Sequence, residues 1–320
     1  MIRRALYLIP VFFGITFLVF SIERLAGDPV KLLTALNPNI SDAQRQLLRE
    51  YFGLDKPVYA QYLTWLGELF TGNLGNAYAI GGGISVSTLL LQRSQYTLEI
   101  QLLGLTISML IAVPIGVLSA KRRYSKLDIV VSNTALVGTS IPIFFLGIVF
   151  ILVFGYNLGL FPPGLAQSTL PSQYPFGSAI LDQLWHLTLP TAVYTFAILA
   201  PVVLLVRSSM LEVLRQDYIL AAKVSGLKDR TVTYKHGLRN ALLPVITYVG
   251  LYFGGLLAGA PITETVFNWP GVGQLFVQAT NKLDFPVIPG IVVAVTLMTL
   301  VAHIVTDISY AYIDPRIRLE

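Results

Sequence analysis

Apolar positions in this chain fall in long unbroken runs rather than in the short alternations of a soluble fold. Six stretches contain no Asp, Glu, Lys or Arg: 5–22, 102–120, 129–155, 187–206, 241–262 and 285–306. As a helix, each is long enough to cross about 30 Å of hydrocarbon. A helix is also the open-ended element that satisfies its own backbone polar groups there. The pattern predicts an all-α, polytopic membrane protein with six transmembrane helices. The 129–155 run is long for one crossing, and Pro142 predicts a tilt or kink within it. The 5–22 run has the basic start and apolar middle of a signal peptide but exceeds a usual signal core, so an uncleaved anchor is expected.

The connections set the orientation. Arg3 and Arg4, the cations of 121–128 and of 207–240, and Arg316 and Arg318 make up fifteen of the 22 Lys and Arg. The short connections 156–186 and 263–284 hold only Lys282. Counting cations in short loops therefore places both termini in the cytoplasm. The longest connection, 24–96, reads as a small external helical segment. Ser41 is a candidate N-cap for a helix through DAQRQLLREYF, Pro57 opens a second through VYAQYLTWLGELF, and Gly53 and Gly72 are candidate stops. Leu47, Leu48 and Tyr51, and Tyr62, Leu63, Trp65 and Leu66, form two short apolar faces that can pack on each other or on the outer membrane surface. Residues 80–87, IGGGISVS, read as a flexible turn into the second span.

Composition agrees with a bilayer as solvent: 54% hydrophobic and 12% charged, against roughly 45–50% and about 25% in soluble domains. The net charge of +5 follows the topology and calls for no nucleic acid. With no cysteine there are no disulfides or thiolate metal sites. No G-x-x-x-x-G-K-[ST] or H-E-x-x-H stretch occurs, so neither a phosphate cradle nor a zincin site is present in the sequence. The span centres also lack the ionisable groups with which ion-coupled carriers hold their coupling ion. Glu99, Arg207 and Asp307 sit only near span ends. Energy for pumping is expected from outside this chain.

One charged stretch interrupts the oil. Residues 213–226, VLRQDYILAAKVSG, contain good helix formers, with Asp217 near the start and Gly226 as a natural stop. Tyr218, Ala221, Ala222 and Ser225 share a face at helical spacing. Such a helix reads either as a handle docked in a groove of another protein or as an interfacial helix resting on lipid. Asp229 is expected to start a second helix carrying His236, Leu238, Arg239 and Asn240 up to the fifth span.

The pattern Ala221-Ala222-x-x-x-Gly226, with HGLRNALLPVIT beginning ten residues after the glycine, resembles the cytoplasmic loop of binding-protein-dependent ABC importer permeases of the dipeptide, oligopeptide and nickel group. IPVFFGITFLVF, AGDPV, FGLDKPVYAQYLTWL with GNLG, AVPIGVLSAKRR, TSIPIFFLGI, MLEVLRQDYILAAKVSG, ETVFNWPGVGQL and DISYAYIDPRIR extend the resemblance over almost the whole chain. Leu220 stands where the wider motif has glutamate, and His236-Gly237-Leu238-Arg239 where many ABC permeases have Ile-x-Leu-Pro; the peptide and nickel subgroup is similar to this sequence at both places. The long segment after the first span resembles the first of the two permease types that pair in these systems.

The resemblance implies a non-catalytic permease that moves peptides by alternating access, with nickel or another small solute as the alternative cargo. It implies three kinds of partner beside membrane lipid: a second homologous permease, two ATP-binding subunits and an external substrate-binding protein. ATP and Mg would sit on the ATPase subunits, with no cofactor on this chain. The organisation implied is an N-terminal transmembrane helix over 1–23, the external segment over 24–96 and a permease core over 97–320. Asp217, Tyr218, Ala221, Ala222, Lys223, Ser225 and Gly226 become the ATPase contact, braced by His236, Arg239 and Asn240.

Further candidates lie along the spans. In the fifth, Gly250, Gly254, Gly255 and Gly259 permit close helix packing beside Tyr248 and Tyr252, with a substrate-lining role as the rival reading. Ser140 and Pro142 bracket a possible backbone gap facing the pathway. Trp269, Gly271 and Gly273 mark an external turn or gate loop, and His303 reads as a packed, neutral side chain. Two rival classes remain: a secondary carrier working without an ATPase, and an intramembrane hydrolase using Ser140 and His303, for which no orienting acid or oxyanion motif is present.

Overall fold

The structure, a computed structural model, describes residues 2–26, 30, 41–51 and 53–313. The side chains of Arg3, Arg4, Leu48, Tyr51 and Asp307, and the whole of Arg316 and Arg318, lie outside that description. Among the described residues the regular secondary structure is helical, apart from one isolated antiparallel bridge between Asn76 and Ser85.

Helix α1, Ile2–Ala26, is followed by two shorter helices, α2, Asp42–Tyr51, and α3, Val58–Phe70. Helix α2 starts with reciprocal capping: the Gln44 N–H donates to Ser41 Oγ at 3.3 Å, and the Ser41 N–H to Gln44 Oε1 at 3.0 Å. Gly53 and Gly72 take left-handed φ of 61° and 82°, the conformation that a chain leaving a helix needs. Residues 80–87 form an ordered turn rather than a flexible one. The buried Asp284 carboxylate accepts the Tyr78, Ala79 and Ile80 N–H groups at 3.2, 2.8 and 3.0 Å.

Two long helices form the centre. Helix α4, Val86–Lys121, begins sixteen residues before the expected second span, and α7, Ala179–Val213, exceeds the fourth at both ends. Their seam buries Ile100, Val117, Ile198, Val203 and Val206. In lipid, close backbone approach replaces hydrophobic drive between helices, and two glycines supply it. A Cβ on Gly104 would lie 2.6 Å from Tyr194 Cδ1, and one on Gly116 2.7 Å from Val206 Cβ.

The third run breaks sharply at the expected proline. Helices α5, Lys126–Ser140, and α6, Ile143–Phe150, continuing as a π-helical stretch to Asn157, meet at 99°. The cause is local. Pro142 pushes Ile141 into extended backbone (φ −80°, ψ 121°), and the Thr139 and Ser140 hydroxyls turn back onto the Leu136 carbonyl at 2.7 and 3.1 Å.

The fifth run also ends earlier than expected. The segment Asp229–Ala241 bends by 45° into the stretch Leu243–Ala258, whose first part is α9, Leu243–Gly254. Gly259 then turns the chain with φ of 78° into a short helix, α10, Pro261–Val266, so residues 259–262 lie outside the fifth apolar helix. Helices α11, Val272–Lys282, and α12, Val287–Ile313, complete the chain. Three helices are long and apolar enough to cross a membrane, or up to five when each bent pair is taken as one span. Ile9–Ile22 of α1 forms a shorter apolar helix. His303 is exposed on α12 rather than packed.

Candidate functional site

The charged stretch after α7 folds as a short helix, α8, over Asp217–Val224. Residues 213–216 stay with α7 and its exit turn, which shortens the helix expected over 213–226. Gly226 ends it at φ 78°, with open space where a Cβ would point, so the glycine is needed for conformation and not for clearance. Ile219 is fully buried and Ala222 half-buried, so that side of α8 rests on the bundle. Asp217, Tyr218, Ala221, Lys223, Ser225 and Gly226 are exposed. So are Leu220 at 61%, Val224 at 81% and Leu227 at 42%, an apolar set on a segment that also carries Asp217, Lys223 and Lys228. Their spacing of three to four residues was legible in the sequence, but the small-residue stripe drew the reading elsewhere.

Polar contacts hold α8 and the helix ends around it. Asn240 Nδ2 donates to the Tyr218 hydroxyl at 2.9 Å and to the His236 carbonyl at 3.2 Å. The Lys121 ammonium at the end of α4 pairs with the Asp229 carboxylate just after α8. Below them, Asp128, 3% exposed, takes Arg207 through two hydrogen bonds, the Nη2 one at 2.8 Å, and also accepts from the Ser119 hydroxyl and the Tyr124 N–H. That cluster joins the ends of α4, α5 and α7. The helix expected from Asp229 is one short α-turn, Asp229–Thr231, running into a π-helical stretch over Val232–Leu238 and a last turn at Arg239–Ala241. A Cβ on buried Gly237 would lie 3.5 Å from Leu214 Cδ2 there.

Inside the bundle, Gly250 and Gly254 face α12. A Cβ on Gly250 would lie 2.2 Å from Thr306 Oγ1, and the Thr299 hydroxyl donates to the Gly254 carbonyl at 2.9 Å. A Cβ on Gly255 would meet only carbonyls of its own helix, while one on Gly259 would meet Gly273 N at 2.3 Å. Tyr248 and Tyr252 join hydroxyls at 3.1 Å, half-buried. The neighbouring polar pair was not singled out from sequence: the Tyr194 hydroxyl donates to Gln101 Oε1 at 3.1 Å, and Gln101 Nε2 to the Leu256 carbonyl at 3.1 Å. Ser140 and Pro142 lie at the break between α5 and α6, with Ser140 exposed.

The turn between α9 and α11 is organised around a residue the sequence pattern did not single out. Glu264, 0% exposed, accepts the Thr97 hydroxyl at 3.0 Å and the Ala260 N–H at 2.9 Å on Oε1, and the Gln274 N–H at 2.8 Å on Oε2. Burial pushes its carboxyl above the ordinary carboxylate value, against the opposing pull of these hydrogen bonds. Gly271 and Gly273 make room for it: a Cβ on Gly271 would lie 2.4 Å from Glu264 Cδ, and one on Gly273 2.7 Å from Pro261 N. Neither has positive φ, so these two glycines serve clearance. Trp269, fully buried, donates from Nε1 to the Tyr96 carbonyl at 2.9 Å. The gate-loop candidates therefore pack onto the N-terminal part of α4. An acidic residue five positions before Trp269 in an otherwise apolar stretch was the available signal.

Comparison with known proteins agrees with this arrangement. Residues 112–319 match the family model for the binding-protein-dependent transport system inner membrane component. The chain is 42% identical over 317 residues to the oligopeptide transport system permease protein AppB of Bacillus subtilis, covering 99% of this chain and 98% of that one. It is 37% identical to the di/tripeptide transport system permease protein DppB of Pseudomonas aeruginosa, over 99% and 97% of the two chains. With the dipeptide transport system permease protein DppB of Escherichia coli K12 the identity is 36%, over 99% and 98%. The chain belongs to the inner membrane permease family of binding-protein-dependent ABC transport systems.

Proposed function

We propose that this chain is the permease subunit of a peptide importer, moved between inward- and outward-open forms by ATPase subunits that grip α8. The observation that carries the reading is the end-to-end similarity to permeases named for oligopeptides, di/tripeptides and dipeptides. Those names favour peptide over nickel.

In this reading both termini are cytoplasmic and six crossings are completed by α1 and by the two bent pairs. The chain divides into an anchor (1–23), an external segment (24–96) and a permease core (97–320). The contact set is Asp217, Tyr218, Ala221, Ala222, Lys223, Ser225 and Gly226, to which exposed Leu220 and Val224 are added. His236, Arg239 and Asn240 brace the handle. Closure of two ATPase subunits on ATP and Mg would displace α8. The Lys121–Asp229 pair and the Asp128–Arg207 cluster would carry that displacement to α4, α5 and α7. Tyr248, Tyr252, Ser140 and Pro142 lie along the pathway, Gly250, Gly254, Gly255 and Gly259 pack the fifth crossing, and Trp269, Gly271 and Gly273 form the outer gate. A second permease completes the pathway and an external binding protein delivers cargo.

The test places a charge on the handle. Val224→Asp and Ala221→Asp, both at exposed positions, should leave the chain at normal levels in the membrane while abolishing co-purification of the ATPase subunit and peptide uptake. Retained co-purification with retained uptake overturns the assignment of α8.

A further inference from the structure

Helix α3 lies against α1, yet its surroundings change sharply around its circumference. At about 100° per residue, Tyr59, Leu63 and Phe70 cluster on one side, and these are 68%, 61% and 69% exposed. Gln61, Thr64 and Glu68 cluster on roughly the opposite side and line a polar cavity shared with Arg24, Lys56 and Asn73. Between the two, Tyr62 and Trp65 pack on α1. Ring centroids are 5.4 Å apart for Phe17 and Tyr62, 5.6 Å for Phe20 and Tyr62, and 5.7 Å for Phe20 and Trp65. The Tyr62 hydroxyl also reaches Thr16 Oγ1 at 3.0 Å and the Phe13 carbonyl at 3.3 Å.

The level of these contacts can be read from α12. Phe20 and Arg24 line the same cavity as Phe285, Pro286 and Pro289, which flank the first turn of that helix. Phe20 thus stands near the mouth of an apolar crossing. Phe13 is seven residues deeper, or about 10 Å at 1.5 Å per residue. The contacts of α3 therefore span the top 10 Å or so of the bilayer, the depth of a helix lying in the headgroup and acyl boundary. Phe70 of its exposed apolar side stands 6.5 Å, ring to ring, from Phe13 of α1, and Phe13 and Phe17 are themselves exposed.

We infer that α3 is an in-plane helix half-sunk in the outer leaflet, with Tyr59, Leu63 and Phe70 in acyl chains, Thr64 and Glu68 turned to water, and Gln61 buried on the polar side. Its partner is the lipid surface. The aromatic cluster fixes α3 to α1, and Trp65 and Tyr62 sit where amphipathic rings favour the interface. The inference rests on α1 and α12 crossing the membrane and does not depend on the cargo or on the ATPase contact.

The chain has no cysteine, so single thiols can be placed at will. Tyr59→Cys, Leu63→Cys, Thr64→Cys and Glu68→Cys are made in the complete transporter and reconstituted in phospholipid nanodiscs, which expose both membrane faces. A water-soluble maleimide should label positions 64 and 68 about tenfold faster than 59 and 63, as expected for opposite sides of an interfacial helix. Spin labels at 59 and 63 should collide more with dissolved oxygen than with a water-soluble nickel chelate, and the reverse should hold at 64 and 68. Equal labelling at all four positions overturns the inference. Slow labelling at 59 and 63 with oxygen also excluded overturns it in favour of a protein cover. Either failure leaves peptide uptake and ATPase association untouched as separate measurements.

Discussion

The two ends of this permease hold their carboxylates in different ways. At the end that carries α10 and the starts of α7 and α12, Glu264, Asp284 and Asp182 are 0–2% exposed and accept backbone N–H groups: Ala260 and Gln274, Tyr78 to Ile80, and Ser168 at 2.7 Å. At the end that carries α8, Asp128 and Asp229 take the side-chain cations Arg207 and Lys121, and Asp128 also accepts the Tyr124 N–H. A carboxylate that gathers N–H groups dictates the path of a loop, because each bond fixes backbone. A carboxylate that takes a cation joins two helix ends through their side chains. The turn around Glu264 is therefore fixed chiefly through its backbone, and the α8 end chiefly through ion pairs between helix ends.

The comparison breaks most visibly at Glu264. Glu264→Ala leaves the Thr97, Ala260 and Gln274 donors without their acceptor in a dry site, at a cost on the order of 5 kcal/mol given roughly 1–3 kcal/mol per orphaned group. The purified transporter should unfold many degrees lower, with the turn between α9 and α11 the first part exposed to protease. The pH dependence has a definite sign. Burial raises the carboxyl above its ordinary value of 4.5, so the folded state holds the proton more tightly than the unfolded one. The stabilisation is complete below that value and is lost as pH rises through the folded value. Thermal midpoints of the wild type should therefore fall relative to Glu264→Gln as pH rises from about 4.5, and a parallel course would remove the burial argument.

Glycines sharpen the contrast at a smaller scale. Gly271 is needed for space and Gly226 for conformation, so the same substitution should fail for different reasons. Gly271→Ala drives a Cβ into Glu264 and the Thr97 hydroxyl, 2.4 and 2.6 Å away, and should cost about 1–3 kcal/mol. Gly226→Ala meets nothing but forces an L-residue to φ 78°, at about 1–2 kcal/mol. Asn tolerates left-handed backbone, so Gly226→Asn should recover most of the loss while Gly271→Asn recovers none, as read by thermal midpoint and membrane abundance.

Much of this was legible in the sequence, and the gaps have physical causes. Charge-free runs located the apolar helices because lipid tolerates few alternatives. They could not show that Ser140-Ile141-Pro142 breaks the third run by 99°, since the backbone there depends on where the two hydroxyls send their hydrogen bonds. The stop at Gly226 was readable from residue type, as was the helix before it. Glu264 was hidden because its partners are mostly backbone N–H groups, which carry no signature in side-chain spacing. The Lys121–Asp229 and Asp128–Arg207 pairs join residues 108 and 79 positions apart, which no local pattern records.

The smallest expected stability effect, and the sharpest separation of holding from moving, concerns Lys121 and Asp229. Their side chains are 32% and 66% exposed, so water and salt screen the pair and its contribution to stability is about 0–1 kcal/mol. Lys121→Ala should leave the thermal midpoint within a degree or two of wild type. If the pair relays the displacement of α8 to α4, the same variant should lower peptide uptake per ATP hydrolysed while ATPase association stays intact. High salt should weaken coupling in the wild type but not in the variant, since screening acts only where the pair exists. Swapping the charges, Lys121→Asp with Asp229→Lys, restores attraction across the same gap and should recover uptake. An unchanged ratio of uptake to hydrolysis in Lys121→Ala would leave the pair a surface decoration and move the relay to the buried Asp128–Arg207 cluster alone.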